Sequence, residues 1–326
     1  MPDSGANRRS HPAVILVATD LSELDRLMPF ALEQAAQTGA RLILLHAIAS
    51  SAALSVDAVG MPYFDPSAAL EFADKALGPW CEAAHRRGIA CDGLVREGHA
   101  TQQIEDAVRQ FQADRVLLGT RSRSRLGKML LGSVAEQVLR SVNLPVITVG
   151  PEAHLAVDTS DEERIVLHAT TLRETSRPSA ALACQVAASQ NAKLVLLHVL
   201  PPIAEMDRSG QPTGQDSAAI DSAAVDSAAT NELRRLAEET SAGCCLAVEP
   251  VVVHGNPSIE ILSEAFERHA SLIVLGATHR SAFENLTRER TIYRVLAHAR
   301  CPVLTLREPQ AMAAEGTAER VAAFHG

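Results

Sequence analysis

The chain alternates short, continuous apolar runs with longer stretches in which apolar residues recur every three or four positions. AVILVAT (13–19) and RLILLHAIA (41–49) are apolar almost throughout, with no in-and-out alternation. Runs of that kind suit strands covered on both faces, as in parallel sheets. Between them, LSELDRLMPFALEQAAQTG has helical spacing and stops at Gly39, a residue suited to the left-handed position that ends a helix. The order continues with a helix over about 66–88, a strand over 91–97, a helix over about 101–112, a strand over 114–119, a helix over about 132–142 and a strand over 144–150. Five strands alternating with four helices predict an open, doubly wound α/β sheet.

The same pattern then begins again. Residues 166–174 (VLHATTLRE) repeat 15–23 (ILVATDLSE), 193–200 (KLVLLHVL) repeat 41–48 (RLILLHAI), and 301–306 (CPVLTL) repeat 144–149 (LPVITV). The offsets are 151, 152 and 157 residues, so order and spacing both persist. Two tandem domains of one fold are expected, over 12–151 and 162–308, with a flexible C-terminal tail at 309–326. In the second copy the pattern predicts strands at 164–170, 193–200, 245–253, 271–276 and 301–306. Helices are expected up to about Asn191, around 217–241, at 257–269 and near 287–299. The added residues of this copy include DSAAI-DSAAV-DSAAT (216–230), read as a solvated loop and helix start. Five-residue steps scatter Asp216, Asp221 and Asp226 around a helix, so they do not read as a metal site.

Composition narrows the classes. A chain of 326 residues is long enough for two cores of ordinary size. No apolar run is long enough to span a membrane, and the N-terminal MPDSGANRRSHPA lacks the apolar stretch of a signal peptide, so a cytoplasmic protein is expected. The formal charge of -9 argues against nucleic acid as a partner, because such binding needs a basic face. Six cysteines without C-x-x-C spacing read as reduced core thiols, with neither a zinc site nor a disulfide framework, and the vicinal Cys244-Cys245 as packing.

In open parallel sheets ligands bind beyond the carboxyl ends of the strands. In the first copy the fourth strand runs into LLGTRSRSRLGKMLLGSVAEQVLRS. This supplies Gly119 at the strand end, a loop with Arg121, Arg123, Arg125 and Lys128, and Gly132-Ser133 opening a helix. A helix N-terminus presents unpaired N–H groups and about half a positive charge, and glycine lets a phosphate come close. The segment therefore reads as an anion site, with Ser133 either as N-cap or as phosphate ligand; a capped helix beside a basic loop is the plainer alternative. Other signals are weaker. His46 and His198 hold matching places at the ends of the second strands and read as hydrogen-bonded structural histidines. SRSRLGK (122–128) is not a phosphate-binding G-x4-G-K-[ST] loop, since it begins on Ser122 and does not follow the first strand. No G-x-G-x-x-G or SGG loop follows the first strand, and no Ser/His/Asp or Cys/His set can be placed.

The pattern resembles the universal stress protein family, whose nucleotide-binding members carry G-x2-G-x9-G-[ST] after the fourth strand and an Asp at the end of the first. The first copy reads Gly119-x2-Ser122-x9-Gly132-Ser133, with Asp20 in VATDLSE. The resemblance covers about 13–150 and 164–307 and is carried also by the paired LLH and PV signatures. It implies two Rossmann-like domains of the adenine-nucleotide alpha hydrolase type, with ATP or a related adenine nucleotide as ligand and Mg2+ as its companion. By resemblance Asp20 and Ala47 lie beside ribose and adenine, Gly119 and Ser122 beside the ribose and α-phosphate, and Gly132, Ser133 and the Val134 backbone around the phosphates. Arg121, Arg123 and Arg125 would add phosphate contacts. Ser122 departs from glycine. If that position needs φ > 0, serine costs about 1–2 kcal/mol, a loss of about tenfold or more in affinity.

The second copy departs more widely. Thr171 stands for Asp20, His279 for Ser122, and Glu289 and Arg290 for Gly132 and Ser133. A glutamate there would repel phosphate, so this copy is expected to be a structural pseudo-partner without nucleotide. It keeps HGNPSIEI, whose Gly255 and Pro257 read as a structural turn. The resemblance further implies that 144–149 and 301–306 pair edge to edge within the chain; a homodimer is left open. The function implied is that of a cytoplasmic stress-response protein with at most slow ATP hydrolysis. A nucleotide-independent scaffold for a regulatory partner is the alternative, and a true hydrolase or kinase-like enzyme would need a metal-binding carboxylate pair near Ser133.

Overall fold

The computed structural model describes residues 12–48, 66–120, 131–154, 163–200, 216–244, 246–278 and 286–308. The expected tail at 309–326 and the basic loop with Arg121, Ser122, Arg123, Arg125 and Lys128 lie outside these residues. The first copy runs β1 (Val14–Thr19), α1 (Leu24–Thr38), β2 (Arg41–Ile48), α2 (Pro66–Arg86), β3 (Cys91–Glu97), α3 (Ala100–Phe111), β4 (Arg115–Gly119), α4 (Ser133–Ser141) and β5 (Val146–Val149). The second runs β6 (Ile165–Ala169), α5 (Arg177–Ser189), β7 (Lys193–Leu200), α6 (Asp216–Cys244), β8 (Val248–His254), α7 (Pro257–Glu267), β9 (Leu272–Thr278), α8 (Leu286–His298) and β10 (Val303–Glu308).

The ten strands of the described residues join in one sheet of order β3-β2-β1-β4-β5-β10-β9-β6-β7-β8. Within each copy neighbouring strands are parallel, and strand order reverses between β1 and its neighbours β2 and β4, as doubly wound sheets require. The two halves meet where β5 pairs β10 antiparallel, with Val146, Ile147 and Thr148 opposite Thr305, Leu304 and Val303. The expected pairing of 144–149 with 301–306 is thus present. Arg164 adds an ion pair to Glu33 across the junction, and the Tyr293 hydroxyl accepts from Arg140 Nη2 at 3.0 Å.

The unbroken apolar runs follow from burial on both faces. Ile15 and Val17 pack under α1 and α2, while Leu16 and Ala18 pack under α3 and α4. The first of these clusters crosses the junction: Ile147 and Val149 share it with Leu304 and Leu306 and with α5. Duplication extends to the backbone. Left-handed residues occur in matched pairs at Leu21 and Leu172, Gly39 and Asn191, Gly98 and Gly255, and Gln112 and His269. At Gly98 and Gly255 a side chain would also collide with Gln103 and Glu260, which stand at matched places in the following helices.

Two expectations need correction. DSAAI-DSAAV-DSAAT is not loop: α6 is helical from Asp216 onward, consistent with the high helix propensity of its repeated alanines. Asp226 Oδ1 within it accepts from His254 Nε2 at 2.9 Å. The cysteines are also not all unpaired, since Cys184 of α5 and Cys244 of α6 are joined as a disulfide. They are 60 residues apart and meet only because α5 and α6 pack side by side.

One buried group breaks the apolar pattern. His168 in β6 is fully buried where the first copy has Val17, also fully buried. Burial pushes its pKa from 6.5 down to about 4, against a smaller opposing effect of the hydrogen bond between Nδ1 and the Val274 carbonyl. The unfolded chain takes up this proton at a higher pH than the native protein does. Its contribution to stability is therefore complete above pH 6.5 and is lost as pH falls towards 4. We expect His168→Val to remove this dependence. Between about pH 7 and about pH 4.5, urea unfolding should show the wild type losing about 2–3 kcal/mol relative to the variant; parallel losses in both proteins would show that His168 is already protonated when folded.

Candidate functional site

A cleft of about 350 Å³ opens at the carboxyl ends of β1, β2 and β4, at the point where strand order reverses. Asp20, Ala47, Gly119, Gly132, Ser133 and Val134 all line it. Residues separated by more than a hundred positions are thus brought to one place by the parallel register of three strands and the start of α4. Ser122 and the three arginines 121, 123 and 125 fall outside the described residues.

Each wall has a local cause. Leu21 is left-handed (φ 72°), and its N–H donates to Thr19 Oγ1 at 2.9 Å, turning the chain sharply at the end of β1. That turn exposes Asp20, whose Oδ1 accepts from the Ser22 N–H at 2.9 Å and the Ser22 hydroxyl at 2.6 Å. His46 Nδ1 binds the Thr19 carbonyl at 2.8 Å, and His198 binds the Thr170 carbonyl at 2.9 Å. Both histidines are therefore the hydrogen-bonded structural residues expected, stitching the second strand's end to the first. The apolar part of the cleft comes from Leu45, Leu118 and Ile104.

The chain leaves β4 at Thr120 and returns at Gly132, whose N–H donates to the Thr120 carbonyl at 3.0 Å. Gly132 is the N-cap of α4, extended at φ -63° and ψ 144°, and no side chain caps the helix. Of the two roles foreseen for Ser133, N-cap is excluded: it is the first helical residue. The opening N–H groups of α4 have no intrahelical partner and sit on the cleft wall, where the helix dipole favours an anion.

Glu23 is a wall residue that no sequence signal singles out. It is only 6% exposed, pairs with Arg26 Nη2 at 2.8 Å, and lies against Gly119 so closely that a β-carbon at 119 would overlap its carboxylate. Any side chain at the end of β4 would thus force the Glu23 carboxylate to move aside. The repeat does not mark it either, since the second copy keeps a glutamate there, Glu174, whose side chain is 82% exposed. Among the described residues no group of three His, Cys, Asp or Glu side chains could hold a metal ion.

The second copy differs at the same rim. Thr171 replaces Asp20 and bonds the Ser176 hydroxyl at 2.8 Å. Glu289 and Arg290 do not occupy a helix start, because α8 already begins at Leu286. The corresponding helix has been extended backwards over the positions that in the first copy form an open N-terminus.

Two doubly wound halves joined in one sheet, with a strand-end cleft in the first, define a Rossmann-like α/β tandem protein. Its family follows from comparison: the model of the universal stress protein family matches residues 13–150 and 163–307, and the chain belongs to that family. A universal stress protein of Mycolicibacterium smegmatis is 26% identical over 308 residues, covering 90% of this chain and 96% of the relative. One from Thermus aquaticus is 31% identical over 139 residues, covering 41% of this chain and 96% of its own length. The crystal structure of a universal stress protein from Archaeoglobus fulgidus superposes with a TM-score of 0.67 at 20% identity, covering 91% of this chain and 97% of that one. No helix among the described residues is long and apolar enough to cross a membrane.

The contact between Glu23 and Gly119 makes a testable pair. Gly119→Ala should destabilise the protein by about 1–3 kcal/mol, as overpacking does. With Glu23→Ala in the same chain the overlap disappears. Urea unfolding of the single and double variants should therefore reveal a coupling of about 1 kcal/mol or more; additive losses would show that Glu23 swings clear without cost.

Proposed function

We propose that the first copy binds ATP or a related adenine nucleotide in this cleft and that the second copy is its structural pseudo-partner. The observation that carries the reading is the convergence of Asp20, Ala47, Gly119 and the Gly132-Ser133-Val134 helix start on one cleft. Its volume of about 350 Å³ is at the lower end of small-molecule sites. Leu45, Ala47 and Ile104 offer apolar surface to a flat base, the Asp20 carboxylate can accept from ribose hydroxyls, and the N–H groups opening α4 suit phosphate. The arginines at 121, 123 and 125 follow directly on the end of the cleft-lining strand β4 and supply positive charge for the same phosphates.

Magnesium would have few protein ligands here. Asp20 and Glu23 are the two carboxylates of the cleft, and Glu23 is already paired with Arg26. A magnesium ion would therefore depend largely on the nucleotide's own phosphate oxygens and water, as this ion often does. Among the described residues the lining offers no further base apart from His46, which is tied to a backbone carbonyl, so hydrolysis is expected to be slow.

Equilibrium dialysis with labelled ATP, on the whole chain and on Gly132→Glu, tests the reading. The wild type should bind, and a glutamate at the mouth of α4 should weaken binding by about tenfold or more through repulsion and blocked approach. Absence of binding in both proteins would overturn the reading in favour of a scaffold, and rapid magnesium-dependent turnover would make the protein an enzyme instead.

A further inference from the structure

The opposite end of the first copy holds a pair of sulfur atoms that the cleft does not use. Cys81 lies near the C-terminal end of α2 and Cys91 opens the edge strand β3. Helical spacing turns Leu77, Cys81 and Ala84 to one face of α2, and strand spacing turns Cys91 and Gly93 to the facing side of β3. The two Sγ atoms are 3.4 Å apart, with the Cys91 thiol donating to Cys81. A β-carbon at Gly93 would come within 3.7 Å of Cys81 Sγ, so the glycine leaves that sulfur an open flank. Cys91 is 4% exposed, whereas Cys81 is partly exposed to solvent.

We propose that Cys81 and Cys91 form a reversible dithiol–disulfide site that reacts with hydroperoxides, Cys81 as the attacking sulfur and Cys91 as the resolving one, independently of nucleotide. Access and placement assign the roles: an oxidant reaches Cys81 from solvent, and Cys91 waits behind it at contact distance. Closing the bond needs a movement of only about 1.4 Å, given a disulfide length of about 2.05 Å and the present separation of 3.4 Å. The hydrogen bond from Cys91 lowers the Cys81 pKa, against opposing effects of burial and of the Asp92 charge. It correspondingly raises that of Cys91, as do burial and Asp92. His85 Nε2 accepts from the Cys91 N–H at 3.3 Å, holding the start of β3 to the end of α2. By contrast, burial pushes the Cys301 thiol up to about 12.

With hydrogen peroxide as oxidant the chemistry balances. The Cys81 thiolate attacks one peroxide oxygen; an S–O bond forms, the O–O bond breaks, and the departing hydroxide takes the thiol's proton as water. Cys91 sulfur then attacks Cys81 Sγ; the S–S bond forms, the S–O bond breaks, and hydroxide leaves with the Cys91 proton as a second water. Two thiols are oxidised and one peroxide is reduced. A dithiol reductant reverses the step by exchange.

Tryptic cleavage separates the two cysteines into peptides 76–86 and 88–96, which makes the bond directly readable. The full-length protein is reduced, freed of reductant, treated with equimolar hydrogen peroxide, alkylated, digested and weighed. The expected result is loss of both peptides from the alkylated pool and a linked species lighter than their sum by two hydrogens, abolished by dithiothreitol. Cys91→Ser should stop at a sulfenic acid on 76–86 that dimedone captures, and Cys81→Ser should leave Cys91 reduced. Recovery of both peptides singly alkylated, Cys81 linked to another cysteine, or equal oxidation of Cys91 in Cys81→Ser would overturn the proposal. The mapping on the wild-type chain decides the matter even if a variant fails to fold.

Discussion

A bare sheet edge exposes a row of unpaired N–H and C=O groups, and each copy of this fold ends on such an edge at its fifth strand. The antiparallel pairing of β5 with β10 removes both edges at once, and most other features of the molecule depend on it. Only three residue pairs make the ladder, yet the pairing sets Ile147 opposite Leu304, gathers Val149 and Leu306 into the same cluster and turns two cores into one across the junction. It also fixes direction. Because the parallel halves meet antiparallel, the strand ends of the two copies point to opposite rims of the sheet. The strand ends of the second copy therefore lie at the rim opposite the one that carries the first copy's cleft.

That separation explains where the copies have diverged. Backbone positions under packing constraint are retained: left-handed residues recur at Leu21 and Leu172, and both N–H groups donate to a threonine hydroxyl two residues back. Rim positions are not. Thr171 ties itself to Ser176, Glu174 turns to solvent where Glu23 is buried, and α8 starts early. On the proposed reading the second rim carries no nucleotide, which would leave it free to drift as long as the turn beneath it keeps its shape. His168 shows the limit of that freedom inside the core, since its ring has a partner at Nδ1 but none at the buried Nε2.

Most of the fold was legible from periodicity, because strands buried on both faces leave unbroken apolar runs and the repeat supplied each reading twice. The edge pairing was legible only through family resemblance; nothing in LPVITV or CPVLTL states its partner. The six described residues named for the site do share one cleft, since motif spacing reflects strand-end geometry. What stayed hidden depends on contacts between distant side chains. Glu23 reaches Gly119 because of a left-handed turn at Leu21, and Cys184 meets Cys244 because two helices lie side by side. The DSAAI repeat misled for a different reason: its polar residues follow no helical face, while its alanines favour a helix regardless of face.

The electrostatics of the cleft constrain how the proposed nucleotide could lie. Asp20 and Glu23 put carboxylates beside the end of β1, and Arg26 offsets only the second of them. Across the cleft the start of α4 carries the positive end of a helix dipole, with three arginines in the connecting sequence. Phosphates placed beside Asp20 would meet like charge in a partly desolvated site, where repulsion is stronger than in water. Only the orientation with phosphates at Gly132 and Ser133 and ribose at Asp20 puts each charge beside its opposite or beside a neutral donor. The polarity of the site follows from the chain's own layout: the acidic turn ends the first strand, and the open helix start follows the fourth, its neighbour in the sheet.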